Sequence, residues 1–475
     1  MVSDDPALWP ATLLVEAYRR KTISPVEVTR IALKRIADLD GTLNAFSLVD
    51  ADGALEAARA AEARWMKGAP AGPIDGVPVT IKDLMLTKGW PTLRGSKLVA
   101  RDQAWDEDAP SVARLKEHGA IFLGKTTSPE FGWKAIGDSP LTGITRNPWD
   151  RTRTPGGSSA GAAVAAAAGM GALHIGTDGG GSIRIPAAFT GIFGLKPTYG
   201  RVPAYPPSPF AVVAHVGPMT RSVSDAALMM NVIARPDDRD PFALPHEPRD
   251  WLAGIEDGVK GLRIAYSPTL GDAAVDPEIA ASVAAAAKVF EELGARVETA
   301  NPGFASPRDA FYTLWASGGA KILSVFGAGE RAMMDPGLVA MAENGARFSA
   351  IDYLGAEAVR AALIQTMNAF HRRFDLLLTP SVPVPALPVG QDLNAPKTER
   401  HWIDWTPFSY PFNMTRQPAS SVPCGLTKAG LPIGLQIVGR FNEDALVLRA
   451  SRAFEMARPF PLPELNIPVN KEQRP

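Results

Sequence analysis

The sequence is poor in cysteine and in net charge. Cys424 is the only cysteine among 475 residues, and 49 basic residues are balanced by 50 acidic ones, which gives a formal net charge of −1. A lone cysteine cannot close a disulfide within the chain, which suits a reducing compartment and predicts a cytoplasmic location. Because the chain has no basic field, nucleic acid is not expected as a direct partner.

Long hydrophobic runs are also absent. The longest run of small apolar residues, 160–175, consists mostly of alanine and glycine and is too weakly apolar to span a bilayer. The first ten residues, MVSDDPALWP, do not have the basic-then-apolar pattern of a signal peptide. We therefore expect no membrane partner.

The common metal and cofactor motifs are missing as well. The six histidines are scattered, no HExxH motif occurs and there is no second cysteine, which argues against a zinc site. No GxxxxGKS/T phosphate loop occurs, and the run GMGALHIG lacks the glycine spacing and the acidic residue of a dinucleotide fingerprint. The sequence thus predicts no cofactor and no metal, and no Ser-His-Asp triad has a recognisable signature.

The chain does contain an alternation of helical and strand patterns. A capping box with proline at the first helical position, Ser24 to Glu27, predicts a helix that runs to about Asp38. A stretch rich in Ala, Glu and Arg predicts a second helix over 53–67, and β-branched residues predict a strand over 77–81. The alternation continues to residue 379 and predicts an α/β protein built around one sheet with helices on its faces.

Three consecutive glycines precede a serine in the stretch GTDGGGSIRIP, residues 176–186. Glycine runs cost backbone entropy and are tolerated where the backbone must go where side chains cannot. The stretch is therefore either a tight structural turn or a place where bare N–H groups face a ligand.

A lysine and a second serine-rich turn offer further chemistry. Lys82 follows a β-branched strand in VPVTIKDL, and burial there should lower its pKa because desolvation disfavours the charged amine. A lysine with a lowered pKa can act as a general base near neutral pH. The stretch TPGGSSAGAAVAAAAG, residues 154–169, places two serines ahead of an alanine-rich segment. A lysine base, a relay serine and a nucleophilic serine would form an alternative to a histidine triad.

Together these stretches resemble the amidase signature family, serine hydrolases with a Ser–cis-Ser–Lys triad. The resemblance rests on GGSSAG, GTDGGGSIRIPAAFTGIFGLKPTYGRVP, VPVTIKDL and the C-terminal SVPCGLTKAGLPIGLQIVGR. These motifs occur in the family's order and extend over nearly the whole chain. The separation of the two serines, 182 − 158 = 24 residues, is also the one that the family uses.

The resemblance implies a role for each motif residue. Ser182 would be the nucleophile and Lys82 the base. Ser158 would be a relay serine, preceded by a cis peptide bond after Gly157. The backbone amides that would form the oxyanion hole are those of Gly179, Gly180, Gly181 and Ser182.

Three further residues would support this site. Asp178 and Arg184 flank the nucleophile and are expected to pair and hold its loop. Ser159 is expected to be a structural residue that forms hydrogen bonds at the start of a helix. Seven aromatic residues fall in segments that the family uses around its pocket, and they predict an apolar, partly aromatic lining: Trp133, Tyr205, Phe210, Tyr312, Trp315, Trp402 and Trp405.

The family's architecture would be one α/β domain over residues 1–475 with a mixed central sheet surrounded by helices. An N-terminal helical segment, about residues 1–70, would pack on this domain and is a candidate surface for a homodimer. No cofactor or metal is implied, and the partner would be a small-molecule amide, ester or carbamate.

The function implied is hydrolysis of C–N bonds in neutral or hydrophobic amides, including aryl amides or carbamates (urethanes), through an acyl-enzyme on Ser182. The alternative is the glutaminase component (the A chain) of a glutamyl-tRNA amidotransferase. Against it, this chain has TTSPEFGWKAIGDSPLTG where those proteins have a run centred on Met-Asp-Glu-Phe-Ala-Met-Gly. A more distant alternative is a non-catalytic scaffold of the same fold, against which the intact lysine and serine set argues.

Overall fold

A computed structural model describes residues 4–391 and 401–465, so both ends of the predicted domain over 1–475 lie outside the described residues. The helices of the described residues are α1 (Ala11–Arg20), α2 (Pro25–Leu43), α3 (Ala51–Met66), α4 (Pro110–Glu117), α5 (Ala160–Ala167), α6 (Arg184–Thr190), α7 (Val223–Ile233), α8 (Pro277–Glu292), α9 (Arg308–Leu323), α10 (Ala328–Arg331), α11 (Pro336–Gly345), α12 (Ala350–Phe370), α13 (Pro411–Met414) and α14 (Asp444–Ala457). The strands are β1 (Phe46–Val49), β2 (Pro78–Lys82), β3 (Ile121–Thr126), β4 (Asp138–Ser139), β5 (Gly143–Ile144), β6 (Leu173–Asp178), β7 (Phe193–Lys196), β8 (His215–Thr220), β9 (Arg263–Tyr266), β10 (Arg296–Thr299), β11 (Leu376–Pro380), β12 (Ala419–Leu426) and β13 (Pro432–Gly439).

Within the described ranges, eleven of these strands form one sheet in the order β1-β3-β2-β6-β8-β7-β12-β13-β11-β9-β10. The strands β3, β2 and β6 are parallel, as are β11, β9 and β10 near the other edge. The strands between these two groups pair antiparallel. This mixed sheet with helices around it confirms the predicted α/β class.

Helix α2 begins where the capping box predicts. The Ser24 Oγ accepts the Glu27 N–H at 3.2 Å, and the Ser24 N–H donates to the Glu27 carboxylate at 2.8 Å. The helix ends at Leu43 rather than near Asp38 because Leu39 and Leu43 are both buried and extend its apolar face. Asn44, with φ of 53°, then ends the helix in the left-handed conformation.

The alanine-rich helix α5 lies in the interior, and all eight of its residues are buried. Its small side chains allow close packing: a Cβ on Gly161 would meet the Thr127 N at 2.5 Å. The helix begins directly after Ser158 and Ser159, so its packing fixes where these two serines stand.

The N-terminal helices share a core with the sheet. Leu14, Tyr18 and Trp65 are buried in the same cluster as Val79 and Ile81 of β2. The Tyr18 hydroxyl also donates to the Gly76 carbonyl at 3.1 Å, just before that strand. None of the helices in the described residues combines the length and the apolar character that a membrane span requires.

Candidate active site

The Lys82 amine lies at the end of a central strand and is fully buried. Its Nζ lies 2.7 Å from the Ser158 Oγ and 2.8 Å from the Thr177 Oγ1. The Ser159 Oγ is a third neighbour at 2.9 Å. Burial lowers the pKa of Lys82 well below its usual value, and the charge of Asp178 offsets this only in part. The neutral amine is thus favoured at pH values where an exposed lysine would be charged.

The Ser159 hydroxyl fixes the direction of one hydrogen bond of Lys82. The Ser159 Oγ donates to the Thr177 carbonyl at 3.1 Å, so it must accept from Lys82. A neutral amine has two N–H groups and one lone pair. One N–H group is directed at Ser159, so the other N–H group and the lone pair are left for the hydroxyls of Ser158 and Thr177, and the lone pair can accept the Ser158 proton.

The two serines of the predicted relay are linked through the backbone. The Gly157–Ser158 peptide bond is cis. Ser158 and Ser182 both line one cavity, and both are almost fully buried. The Ser159 N–H donates to the Ser182 carbonyl at 3.1 Å, which joins the start of α5 to the loop that carries Ser182. The two segments that carry these serines are therefore joined by a backbone hydrogen bond.

An ion pair holds the loop before Ser182. Arg184 Nε and Nη2 donate to the two Asp178 carboxylate oxygens, each at 2.9 Å, and both side chains are fully buried. Arg184 Nη1 also donates to the Gln436 Oε1 at 2.7 Å, and the Asn413 Nδ2 donates to Asp178 at 2.8 Å. Burial alone would raise the pKa of Asp178, but the Arg184 charge and hydrogen bonds outweigh it and hold that pKa well below its usual range. The pair is thus charged and rigid.

The backbone amides around the glycines are used in two ways. The Gly181 N–H donates to the Asp178 Oδ1 at 2.8 Å, so the expectation that this amide faces the substrate is wrong. The amides of Gly179, Gly180 and Ser182 have no acceptor among the described residues. Of these three residues, Gly179 and Ser182 line the cavity, where their N–H groups can meet a ligand oxygen.

Glycine is required in this loop because aromatic rings lie against it. A Cβ on Gly179 would meet the Trp315 ring at 2.7 Å, and a Cβ on Gly180 would meet the Trp402 ring at 2.5 Å. Gly181 has a φ of +129°, which side chains rarely adopt. The triple glycine is thus explained by close approach at two positions and by backbone conformation at the third.

The cavity above Ser182 has a volume of about 570 Å³. Its walls come from parts of the chain that are far apart in sequence, and most of them are apolar. They include Leu84, Met85, Leu98, Val99, Phe131, the loop 203–210, Trp315, Ile322, Val325 and Phe326. Such a volume and lining suit a small organic molecule with an apolar body.

No group of three or more His, Cys, Asp or Glu side chains that could hold a metal ion occurs within residues 4–391 and 401–465. Polar groups that line the cavity include the hydroxyls of Ser158, Thr177 and Ser182, and the Lys82 amine lies behind Ser158. This donor set suits acyl transfer through a serine.

A family model described as Amidase matches residues 27–448, which is most of the chain. The chain belongs to the amidase family. It is 36% identical over 457 residues to an acylamidase of Rhodococcus erythropolis, with 95% of each chain covered. It is 38% identical over 471 residues to the A chain of a glutamyl-tRNA(Gln) amidotransferase of Myxococcus xanthus, with 92% of this chain and 94% of that one covered.

The solved structures agree with this assignment. A crystal structure of a bacterial aryl acylamidase of the amidase signature family superimposes with a TM-score of 0.88 at 34% identity, covering 95% of this chain and 96% of that one. The prediction of the amidase signature family is therefore confirmed. The chain is an amidase, a hydrolase of carbon–nitrogen bonds.

The seven aromatic residues predicted for this amidase's pocket divide into two groups. Tyr205, Phe210 and Trp315 line the cavity, and Phe210 stacks on Trp315 with ring centroids 3.8 Å apart. The other four are buried outside the described lining of the cavity, in the apolar cluster around it: Trp133, Tyr312, Trp402 and Trp405.

Two of these four residues, Trp133 and Trp402, contact Trp315 of the wall. The Trp133 carbonyl accepts the Trp315 Nε1–H at 3.0 Å, and Trp402 packs edge-on against Trp315 at 5.2 Å. Tyr312 receives a hydrogen bond from Asn344 at 2.7 Å, and Trp405 stacks on Phe189. Sequence position alone does not separate these roles, because an aromatic residue has the same local pattern in a core and in a pocket wall.

Several residues of the amidase site carry no local signal. Thr177 contacts the Lys82 amine from the neighbouring strand β6, and only the parallel pairing of β2 with β6 brings them together. Arg94 and Phe131 line the cavity from two loops, and both have left-handed backbone conformations, with φ of 57° and 51°. Because neither residue is glycine, nothing in the sequence marks these positions.

Proposed function

We propose that this amidase cleaves amides with an apolar body, including aryl amides and carbamates, through an acyl-enzyme on Ser182. The observation that carries the proposal is the buried Lys82 amine, hydrogen-bonded to Ser158 in the wall of a largely apolar cavity that also holds Ser182. Two similar proteins bear the names acylamidase and aryl acylamidase, which supports the same substrate class.

In the first half of the proposed cycle, Lys82 accepts the Ser158 hydroxyl proton, and Ser158 accepts the proton of Ser182. The Ser182 oxygen then attacks the substrate carbonyl carbon, and the carbonyl oxygen becomes an oxyanion. Of the amides of Gly179, Gly180 and Ser182, those that reach this oxygen stabilise it. One such donor is typically worth roughly 3 kcal/mol of transition-state stabilisation.

The second half returns the proton. It passes from Lys82 through Ser158 to the leaving nitrogen, the C–N bond breaks, and the acyl group stays on Ser182. Water then gives a proton to the same relay and attacks the acyl carbon, and the released Ser182 oxygen recovers its proton. Because the relay protonates the nitrogen as it leaves, a poor amine leaving group is no obstacle.

The glutaminase alternative is tested by the charges of the cavity. Glutamine carries an α-ammonium group, which a protein binds best with a carboxylate. Among the described residues that line the cavity there is no aspartate or glutamate. This lining offers no carboxylate for the α-ammonium group of glutamine, and the sequence is about equally similar to proteins of both names. The scaffold alternative is disfavoured because the Lys82–Ser158 hydrogen bond is in place and Ser182 lines the same cavity as Ser158.

The proposal includes a setting without a nucleic-acid partner. The net charge of −1 offers no field for nucleic acid, and the single cysteine suits a reducing compartment. We therefore propose that the enzyme acts in the cytoplasm on free small molecules.

The test is a hydrolysis panel with mass-spectrometric detection of both products. It contains acetanilide, an aryl carbamate, an aminohexanoate dimer and glutamine, with wild type, Ser182→Ala and Ser282→Ala. Ser282 lies on helix α8, and its hydroxyl donates a hydrogen bond to the Cys424 carbonyl, so its variant controls for loss of a serine. We expect cleavage of the anilide or carbamate by wild type and Ser282→Ala only. Cleavage of glutamine alone would replace this proposal by the glutaminase, and activity in Ser182→Ala would remove Ser182 as nucleophile.

A further inference from the structure

The cavity contains a guanidinium group that the proposed reaction does not use. Arg94 lies in the loop after β2, is half-buried and lines the same cavity as Ser158 and Ser182. Its side chain makes no ion pair and no hydrogen bond with any described residue. The charged lining residues of the described chain are Arg94 and Lys321, both cationic. The wall therefore presents positive charge without a matching carboxylate.

The carboxylate that acts on the charge of Arg94 also faces a second cation. Asp83 acts on Arg94 through its charge, but its Oδ1 lies 3.4 Å from the Lys125 Nζ and also accepts the Leu93 N–H. Lys125 and Arg94 thus share one carboxylate, which leaves one positive charge in excess. Burial lowers the pKa of Arg94, with Asp83 opposing the shift, yet a guanidinium stays protonated in proteins. A desolvated charge in excess is stabilised when a ligand brings an anion.

Two acids lie on the other side of Arg94. Asp106 and Glu107 border a smaller polar pocket, of about 300 Å³, which Arg94 also lines. Both are exposed and neither forms an ion pair with Arg94, so water screens their charges. The cavity that holds Ser182 has no aspartate or glutamate in its described lining.

The backbone at Arg94 is fixed in an uncommon conformation. Arg94 has a φ of 57° although it has a side chain, and its N–H donates to the Asp83 carbonyl at 3.0 Å. Its carbonyl accepts the N–H of Phe131, another left-handed residue of the cavity wall, at 2.7 Å. Non-glycine residues stay in this conformation only where the surroundings hold them there, and such positions cluster at ligand-binding sites. The guanidinium is thus presented from a rigid base.

We propose that Arg94 binds a carboxylate of the substrate. The substrate class is then an amide or carbamate with an apolar body and one carboxylate remote from the bond that is cleaved. This inference rests on the proposed function and narrows it from apolar amides in general. A guanidinium suits the role because its planar fork can bind both carboxylate oxygens.

The test uses two pairs of anilides in which a methyl ketone replaces the carboxylate, so that size and polarity at that end are similar. One pair is 4-acetamidobenzoate with 4-acetamidoacetophenone, which carries the charge on the amine side. The other is succinanilate with 4-oxopentananilide, which carries it on the acyl side. The measured quantity is kcat/KM for release of the aromatic amine, taken as a charged-to-neutral ratio within each pair.

The variants are Arg94→Met, Arg94→Lys and Arg101→Met. Arg101 is an exposed arginine of the same region that does not line the cavity, so its variant removes an equal charge nearby. We expect wild type to prefer the carboxylate member of at least one pair. Arg94→Met should lower that ratio by about tenfold to a hundredfold, the range for hydrogen bonds to a charged group. Arg94→Lys should be intermediate, and Arg101→Met should keep the wild-type ratio.

The outcomes separate this inference from the proposed function. Suppose that wild type cleaves the ketone anilides and that this cleavage needs Ser182. If wild type then shows no preference for a carboxylate, or if Arg94→Met leaves the charged-to-neutral ratio unchanged, the role of Arg94 is overturned and the amidase proposal stands. Failure to cleave any of the four, together with failure of a fluorophosphonate to label Ser182, overturns the proposed function itself. If Arg94→Met does not fold, inhibition of wild type by benzoate and by acetophenone gives the same comparison, and equal inhibition overturns the inference.

Discussion

The Asp178–Arg184 pair allows a prediction with a calculable consequence. The substitution Asp178→Asn keeps the shape of the side chain but turns one carboxylate oxygen into an NH₂ group. In the native site, Oδ1 accepts from Gly181, Arg184 and Asn413, and Oδ2 accepts from Ile183 and Arg184. Whichever oxygen is replaced, at least two buried donors lose their acceptor and Arg184 loses its counter-charge.

The loss of folding free energy is set by the burial of this ion pair. Breaking a fully buried ion pair by removing one partner costs about 3–5 kcal/mol of folding free energy. An ion pair at the surface contributes about 0–1 kcal/mol. The matched control is Asp38→Asn, because Asp38 lies 2.7 Å from the Lys34 Nζ on helix α2 and that lysine is 60% exposed. The same chemical change at the two sites should thus differ severalfold in cost.

The assay is urea unfolding followed by tryptophan fluorescence at pH 7, with kcat measured on an anilide. A carboxyl whose pKa is lowered by folding contributes stability above its unfolded pKa, about 3.9, and loses it as pH falls through the folded value, so pH 7 lies where the pair is intact. The Gly181 amide also loses a good acceptor, which should displace the neighbouring amides and lower kcat about a hundredfold. Equal stability losses in Asp178→Asn and Asp38→Asn would refute the argument that burial makes this pair essential.

Two further predictions concern the base and the glycines. Because burial lowers the pKa of Lys82, kcat/KM for an uncharged anilide should rise as pH passes through that lowered pKa and should reach its plateau well before pH 10.5. A rise in kcat/KM only near pH 10.5, the pKa of an ordinary lysine, would contradict the assignment of Lys82 as the base. The variant Gly180→Ala should lose about 1–3 kcal/mol of stability and most of its kcat, since its Cβ would meet the Trp402 ring at 2.5 Å and the Phe311 ring at 2.9 Å. The control Gly355→Ala, in an exposed helix position with nothing within 4 Å, should be neutral or stabilising in thermal unfolding, and a similar loss in both variants would count against the steric argument.

The sequence predicts the parts of the site that depend on local pattern. Lys82 follows β-branched residues that have to form a buried strand, so its burial and its lowered pKa follow from position alone. The start of α2 at Pro25 follows from its cap in the same way. The resemblance adds the correspondence of Ser158 and Ser182, which composition and periodicity do not provide.

The rest depends on contacts between distant segments. Arg94 and Phe326 line one cavity from loops more than 200 residues apart in sequence, and neither loop has a sequence pattern that predicts this proximity. The sequence predicts Trp402 in the pocket, but its ring packs against Gly180, because a large ring satisfies either environment and only the tertiary structure decides. The predicted role of the Gly181 amide fails for a similar reason, since the carboxylate of Asp178, three residues earlier, accepts its N–H.

The complete burial of Lys82 has a consequence for the fate of the catalytic proton. Lys82 is 0% exposed, and the hydroxyls of Ser158 and Thr177 link its amine to the cavity. A substrate that fills the cavity covers both hydroxyls and so separates the amine from bulk water. In the proposed cycle that proton therefore waits beside the bond to be cleaved and is delivered to the departing nitrogen. Isolation from solvent means that the relay holds one proton at a time. It takes that proton from Ser182 and gives it to the leaving nitrogen, and it then takes a proton from water and returns it to Ser182.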